Sequence, residues 1–293
     1  MSKQKWAGTT FGNDWMHKSL IKMLKVLDLR ILYVFVAIFV LPICLLVNKS
    51  GIITYRFFRK RIGYGKLKSL WSTYLNHIKF SQVVIDKFAM WAGKKFEIEI
   101  EGYEHFLSLA NKLEGFIQLS SHIGNYEIAG YSLVAEQKRF NALVFWGEKQ
   151  SVIENRKRIF VDSNINMIAV RPDMGHLFEI DKAINDGEIV SIPSDRIFGS
   201  QKSLLIEFLN GEANFPVGPF SVATMRGLDV IAVNVMKVNT RKYKIYVTPL
   251  NYDRHAKRKE QIVSLAKLYV LELERMMSMY PTQWYNYFDL WKS

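Results

Sequence analysis

Phe116-Ile-Gln-Leu-Ser-Ser-His-Ile-Gly-Asn-Tyr-Glu127 is the stretch from which the rest of the chain can be read. Its opening Phe116-Ile-Gln-Leu119, led in by Glu114-Gly115, is an apolar run of strand length that stops at Ser120-Ser121-His122. Asn125 is a good helix cap, so the spacing predicts a helix over 125–137 directly after the loop. The same strand-then-helix unit recurs on both sides. Upstream, Phe96–Glu101 alternates apolar and acidic residues as a half-exposed strand, after a helix predicted over 66–92 and ended by Gly93. Downstream come strand 143–146, helix 151–161, strand 167–170, helix 177–185 and strand 189–193. Strands 230–236 and 244–248 and a closing helix 258–279 complete the pattern. This order predicts an α/β fold, a mostly parallel mixed sheet flanked by helices. Ligands of such sheets bind beyond the carboxyl ends of the strands, here Ser120–Glu127, Arg171–Gly175 and Ser194–Gly199.

Composition narrows the class. Hydrophobic residues are 49% and charged residues 23% of the 293, ordinary usage that excludes a disordered or fibrous chain. The lone Cys44 excludes a disulfide framework and a cysteine-rich zinc site. Residues 1–70 carry 13 basic residues against only Asp14 and Asp28, while residues 71–293 hold 27 basic and 25 acidic ones. A nucleic-acid binder places its cations on a folded reading surface; a basic leader beside an apolar run points instead to anionic lipid. That run is Ile31–Val47, uncharged, with Pro42 set to kink it. Seventeen residues reach about 25 Å against a hydrocarbon core of about 30 Å, which leaves a spanning and a re-entrant helix open, with a buried core helix as the competing reading. Residues 15–30 before it read as a basic amphipathic helix. The basic cluster after it (Lys49, Arg56, Arg59, Lys60, Arg61) is denser than the one before, which predicts a cytoplasmic location for the remainder of the chain. The expected organisation is a membrane anchor over 1–65 and a folded domain over 66–293.

The chain holds no serine-elbow, phosphate-loop, HExxH zinc or dinucleotide fingerprint, and its six histidines show no metal-ligand spacing. His122 stands out because it closes an apolar strand and has Glu127 five residues on. Within one regular helix that spacing is about 140° round the axis, so the pair would not face each other. With His122 in the loop and a helix starting near Asn125, Glu127 can turn back to the imidazole, fix its tautomer and raise its basicity toward a hydroxyl proton. Gly124 would let a substrate approach closely. The competing reading is a loop histidine that merely caps the next helix.

Ser121-His122-Ile-Gly124-Asn125-Tyr-Glu127 resembles the His-x4-Asp/Glu signature of glycerolipid-type acyltransferases, and most of all the bacterial lipid A biosynthesis (late) acyltransferases. Arg171-Pro172 is similar to that family's second block, and Pro193-Ser-Asp195-Arg196 with Gly199 to its third. Phe208-Leu-Asn-Gly211, Phe215-Pro-Val-Gly218-Pro219 and Pro281-Thr-Gln-Trp284 come next in the family's order. The resemblance implies a membrane-bound enzyme of the bacterial inner membrane, with its catalytic domain on the cytoplasmic side. It would move a fatty acyl group from acyl carrier protein or coenzyme A to a hydroxyl of a lipid or glycolipid acceptor. His122 would be the general base and Glu127 its orienting carboxylate, with Gly124 and Asn125 at the substrate. Arg171 and Arg196 would meet phosphate on the acceptor or on phosphopantetheine, and Asp195 would hold one of them. No cofactor is implied beyond the acyl thioester as co-substrate. Phe208, Phe215 and Phe220 are candidates for an acyl channel or for plain core.

One departure bears on the acceptor. Lipid A enzymes of this type have a His/Arg-rich stretch after the terminal tryptophan, whereas here Trp284-Tyr-Asn-Tyr-Phe-Asp-Leu-Trp291 has no basic residue. Acceptors such as amino-acid lipids, aryl polyenes or other glycolipids therefore stay open, as does N-acylation of an amine. A non-catalytic membrane protein that binds lipid or acyl carrier is the reading from another class.

Overall fold

The computed structural model describes residues 14–145, 164–171, 174–197 and 202–291. Its helices are α1 (Asp14–Val26), α2 (Leu29–Val47), α3 (Ser50–Lys60), α4 (Lys66–Trp91), α5 (Tyr103–Ala110), α6 (Glu127–Ser132), α7 (His176–Asn185), α8 (Gly218–Met225) and α9 (Arg258–Met279). The strands are β1 (Glu97–Glu101), β2 (Phe116–Ser120), β3 (Phe140–Phe145), β4 (Ile165–Val170), β5 (Ile189–Pro193), β6 (Ser203–Glu207), β7 (Glu212–Pro216), β8 (Val230–Lys237) and β9 (Lys242–Pro249).

Seven strands form one sheet in the order β1-β9-β8-β2-β5-β3-β4, and β6 and β7 form a separate two-stranded ribbon. Every neighbouring pair in the large sheet is parallel except β8 with β9. A short connection joins those two, and only an antiparallel partner can be reached without a crossover. The sheet is mixed and mostly parallel, as the alternation predicts. Its central strands β2 and β8 are buried along their whole length, which is why they read as unbroken apolar runs. Side chains alternate across β2: Ile117 and Leu119 enter a core with Phe220, Leu265 and Tyr269 of α8 and α9, while Phe116 enters the opposite core with Phe106 and Ile128 of α5 and α6. At the edge, β1 turns Glu97, Glu99 and Glu101 outward onto Lys242 and Lys244, and such charge discourages pairing with another chain.

In α2 the backbone widens to a π-turn over Val36–Val40, just before Pro42, which has no N–H for the regular ladder. The helix is apolar and mostly exposed. Its inner face, Leu29, Leu32 and Tyr33, packs on Ile85, Phe88 and Ala89 of α4. Ile31, Phe35, Ile38, Phe39, Ile43 and Leu46 face outward and are more than half exposed. By contrast α3, also within the first 65 residues, sends Phe57 and Phe58 into the main core beside Trp284.

Some elements depart from the sequence reading. The helix after His122 is shorter than 125–137, running only over Glu127–Ser132, and Leu133 leaves helical geometry at φ −95°, ψ 75°. The expected helix 151–161 lies outside the described residues, as do Trp146, Pro172 and Gly199. The ribbon β6–β7 is legible in the sequence only as a motif. Its turn is tight because Leu209 and Asn210 both adopt positive φ (47° and 59°), a conformation rarely taken by leucine.

Candidate active site

Strands β2 and β5 are parallel neighbours, with Ser120 opposite Pro193. Two residues past those positions stand His122 and Asp195, which therefore leave the sheet at the same carboxyl edge. The Ser194 N–H donates to the Ser120 carbonyl at 2.9 Å and keeps the two chains together beyond the last sheet rung. Asp195 is fully buried. Its Oδ2 accepts the His122 backbone N–H at 2.9 Å and its Oδ1 meets His122 Nδ1 at 2.7 Å. A carboxylate on Nδ1 holds the proton there and leaves Nε2 as the acceptor. The His122 side chain keeps 18% of its surface exposed.

Electrostatics favour a neutral ring. Burial lowers the His122 pKa and the nearby Arg196 charge lowers it further, against the upward pull of Asp195. Burial alone would raise Asp195, but the charge and hydrogen bonds of His122 and the Arg196 charge outweigh it, leaving Asp195 at about 2. Arg196 donates from Nη2 to the Tyr285 carbonyl at 2.7 Å and lies 5.4 Å from the Phe288 ring centre. The acid limb of kcat/KM is therefore expected below pH 6.5, the ordinary histidine value. Arg196→Met removes a charge that lowers the pKa, so the limb should move to higher pH. A limb that stays in place or moves down in a pH–rate profile would separate it from His122.

The loop is held from both sides. Ile123 bridges Trp284, the Gly124 N–H donates to the Gln283 carbonyl at 2.8 Å, and the Tyr285 N–H donates to the His122 carbonyl at 3.0 Å. On the β8 side, the Asn125 N–H donates to the Val235 carbonyl at 2.7 Å. The Gln283 side chain accepts from Lys237 N–H at 2.9 Å and donates to the Lys237 carbonyl at 2.8 Å, as a neighbouring strand would. The Pro281-Thr-Gln-Trp284 segment is thus a strap that fixes the loop to the end of β8.

Three expectations change against this geometry. Glu127 is not the carboxylate on His122 Nδ1. It opens α6, and its Oε1 accepts from Lys87 of α4 at 2.7 Å, while Asp195 arrives from the adjacent strand. Asp195, expected to hold an arginine, holds the imidazole. Gly124 has a packing requirement of its own: its φ is 62° and a Cβ there would stand 1.9 Å from the Val235 carbonyl oxygen. Asn125 does not cap α6, whose cap is Tyr126 without a side-chain hydrogen bond; Asn125 is buried with Nδ2 at 3.5 Å from the Tyr243 hydroxyl.

Arg171 is exposed just past β4, on the same edge as His122. Strands β5 and β3 stand between, so it lies about 14 Å away at about 4.8 Å per strand. Phe208, Phe215 and Phe220 are fully buried core; Phe208 stacks on Trp291 at 5.7 Å.

An α/β sheet with a carboxylate-held imidazole at its carboxyl edge presents a group chemically able to take a proton. The profile of the bacterial lipid A biosynthesis acyltransferases matches residues 81–293, and the chain belongs to that family of acyltransferases. Among solved structures, the 1-acyl-sn-glycerophosphate acyltransferase PlsC from Thermotoga maritima is similar at 15% identity, over 90% of this chain and 98% of that one, with a TM-score of 0.37. No curated protein sequence matches.

Proposed function

We propose that this acyltransferase is bound to the inner membrane, faces the cytoplasm, and moves a fatty acyl group from an acyl thioester to a hydroxyl of a lipid or glycolipid. The observation that supports this reading best is the pairing of His122 Nδ1 with buried Asp195 while the His122 side chain keeps part of its surface exposed. Nε2 takes the proton of the acceptor hydroxyl as its oxygen attacks the thioester carbonyl. The C–S bond then breaks, and the departing thiolate takes that proton from the imidazolium. An ester and a free thiol result, with no bond to the enzyme formed. Asp195 fixes the tautomer and stabilises the imidazolium. Glu127, with its Lys87 pair, acts in this reading through the start of α6. Arg171 is the exposed cation suited to a phosphate at a distance from the reacting bond, and Arg196 sets the imidazole's basicity and holds the strap.

Mass spectrometry of the lipids of cells with and without the gene tests the function. A lipid class that gains one acyl chain only when the gene is present supports it and names the acceptor. Incubating the purified protein with acyl carrier protein or coenzyme A thioesters then separates the donors. An unchanged lipid profile together with no transfer from either donor would reject the reading.

The membrane part has its own test. Ile38 and Ile43 are 57% and 63% exposed on the outer face of α2. Lysine at both costs about 5–7 kcal/mol of membrane insertion at about 2.5–3.5 kcal/mol each, without touching the face packed on α4. Ile38→Lys/Ile43→Lys is therefore expected to move the protein to the soluble fraction. Retention through an alkaline carbonate wash would place the anchor elsewhere.

A further inference from the structure

We infer that Asn286 binds the amide of the donor's thioester arm; this rests on the acyl-thioester reading above. Asn286 is 6% exposed and Tyr285 4%. Among the described residues neither amide atom of Asn286 has a hydrogen-bond partner, and neither does the Tyr285 hydroxyl. Buried polar groups are almost always paired, and leaving one unpaired costs the fold free energy. The residues on either side obey that rule. Gln283 is fully engaged with Lys237, and Tyr287 donates to Asn76 Oδ1 at 3.2 Å. Asn76 in turn donates to the carbonyls of Thr282 and Trp284 at 3.1 and 2.8 Å. The unpaired groups of this segment, the Trp284 ring N–H among them, therefore lie on three consecutive residues, Trp284 to Asn286, against the His122 loop.

The backbone that carries Asn286 is tied to the His122 loop. The Tyr285 N–H is spent on the His122 carbonyl at 3.0 Å, and the carbonyl of the Tyr285–Asn286 peptide accepts from Arg196 at 2.7 Å. Asn286 thus starts from a peptide fixed between the proposed base and the arginine that tunes it. A carboxamide offers one donor and one acceptor in a plane, the complement of a secondary amide and a poor match for phosphate. Carrier protein and coenzyme A end in the same cysteamine, whose secondary amide lies two methylenes from the thioester sulfur. An amide bound beside His122 would set the thioester carbonyl against the acceptor oxygen, and it would serve either donor.

The test uses the full-length protein and two probes, S-palmitoyl-pantetheine and the palmitoyl thioester of 2-mercaptoethanol, which has no amide. Wild-type protein is expected to bind the pantetheine thioester about 10-fold more tightly, as fits a hydrogen-bonded amide. Asn286→Leu should abolish that preference while its melting temperature is unchanged or higher, because the substitution removes polar atoms that the ligand-free fold leaves unpaired. Asn286→Ala, which adds no volume, should lose the same preference. A preference that survives in both variants would overturn the proposal, and so would a fall in melting temperature in both, since the amide would then be structural. Equal binding of the two probes by wild-type protein defeats this inference alone. Binding of neither probe defeats the thioester reading along with it.

Discussion

Replacing His122 with alanine is expected to lower turnover by about 10²–10⁴-fold, the usual worth of a positioned general base, while melting temperature and far-UV circular dichroism stay near those of the parent. The imidazole keeps part of its surface exposed, and its backbone carbonyl and N–H do the structural work at this position. The companion substitution is Asp195→Asn. Asp195 accepts two N–H groups, one from the ring and one from the His122 backbone. Asparagine has one acceptor oxygen and an NH₂, so it must set a donor against a donor or push the ring into the other tautomer, with the proton on Nε2. Turnover should then fall almost as far as for His122→Ala. Glu127→Gln should cost less, since the carboxylate at Nδ1 is untouched. That order, Asp195 before Glu127, is the discriminating result. If Glu127→Gln proved the more damaging of the two, the ring would be governed by the local carboxylate and the cross-strand pair would be a structural bond.

The difference between these carboxylates marks where sequence reading stops. Glu127 is visible from His122 because both lie in one short window. Asp195 is 73 residues away, and its approach depends on β2 and β5 being adjacent and in a register that puts Ser120 opposite Pro193. Nothing in local periodicity carries that register. The strands themselves are legible because burial on both faces demands continuous apolar residues, and β5 runs over Ile189–Pro193 as expected. The long helix α9, Arg258–Met279, is also legible, its length and apolar spacing leaving little choice. The short α5 and α8 and the ribbon β6–β7 are not, because eight- and five-residue elements carry too little period to stand above their surroundings. Gly124 teaches a related point. A glycine in a loop signals close approach, but the sequence does not say of what, and here the Val235 carbonyl is one such neighbour. The Pro281-Thr-Gln-Trp284 strap shows in the sequence as a family ending; that it hydrogen-bonds the His122 loop is a matter of chain packing.

Asp86→Ala is expected to cost about 3–5 kcal/mol of stability, the penalty for leaving one charge of a buried pair without its partner. Asp86 and Lys237 form an ion pair in which both side chains are essentially closed to solvent. Burial pushes the Asp86 carboxyl upward and the Lys237 ammonium downward in pKa, each opposed by the other's charge. The Tyr33 and Tyr243 hydroxyls complete the carboxylate's partners, and the Lys237 ammonium also lies 3.3 Å from the Tyr33 hydroxyl. Four elements meet in this cluster: α2 through Tyr33, α4 through Asp86, β8 through Lys237 and β9 through Tyr243. Its loss should also reach the site. Lys237 carries the backbone that Gln283 grips, and the Tyr243 hydroxyl faces Asn125 on the His122 loop. Urea titration of Asp86→Leu, Lys237→Met and the Asp86→Leu/Lys237→Met double variant, beside Asp86→Ala, decides how the pair works. If the two charges chiefly satisfy each other, the double variant recovers most of what either single one loses, because an apolar pair of similar volume leaves no uncompensated charge. Losses that simply add would mean that each residue is held by its other neighbours, Asp86 by the tyrosines and Lys237 by the rings of Tyr33, Phe96 and Tyr243 around it. Recovery of stability without recovery of turnover would carry the further conclusion that the charges position the loop as well as hold the fold, since a core repaired with leucine and methionine no longer fixes the Tyr243 hydroxyl that faces Asn125.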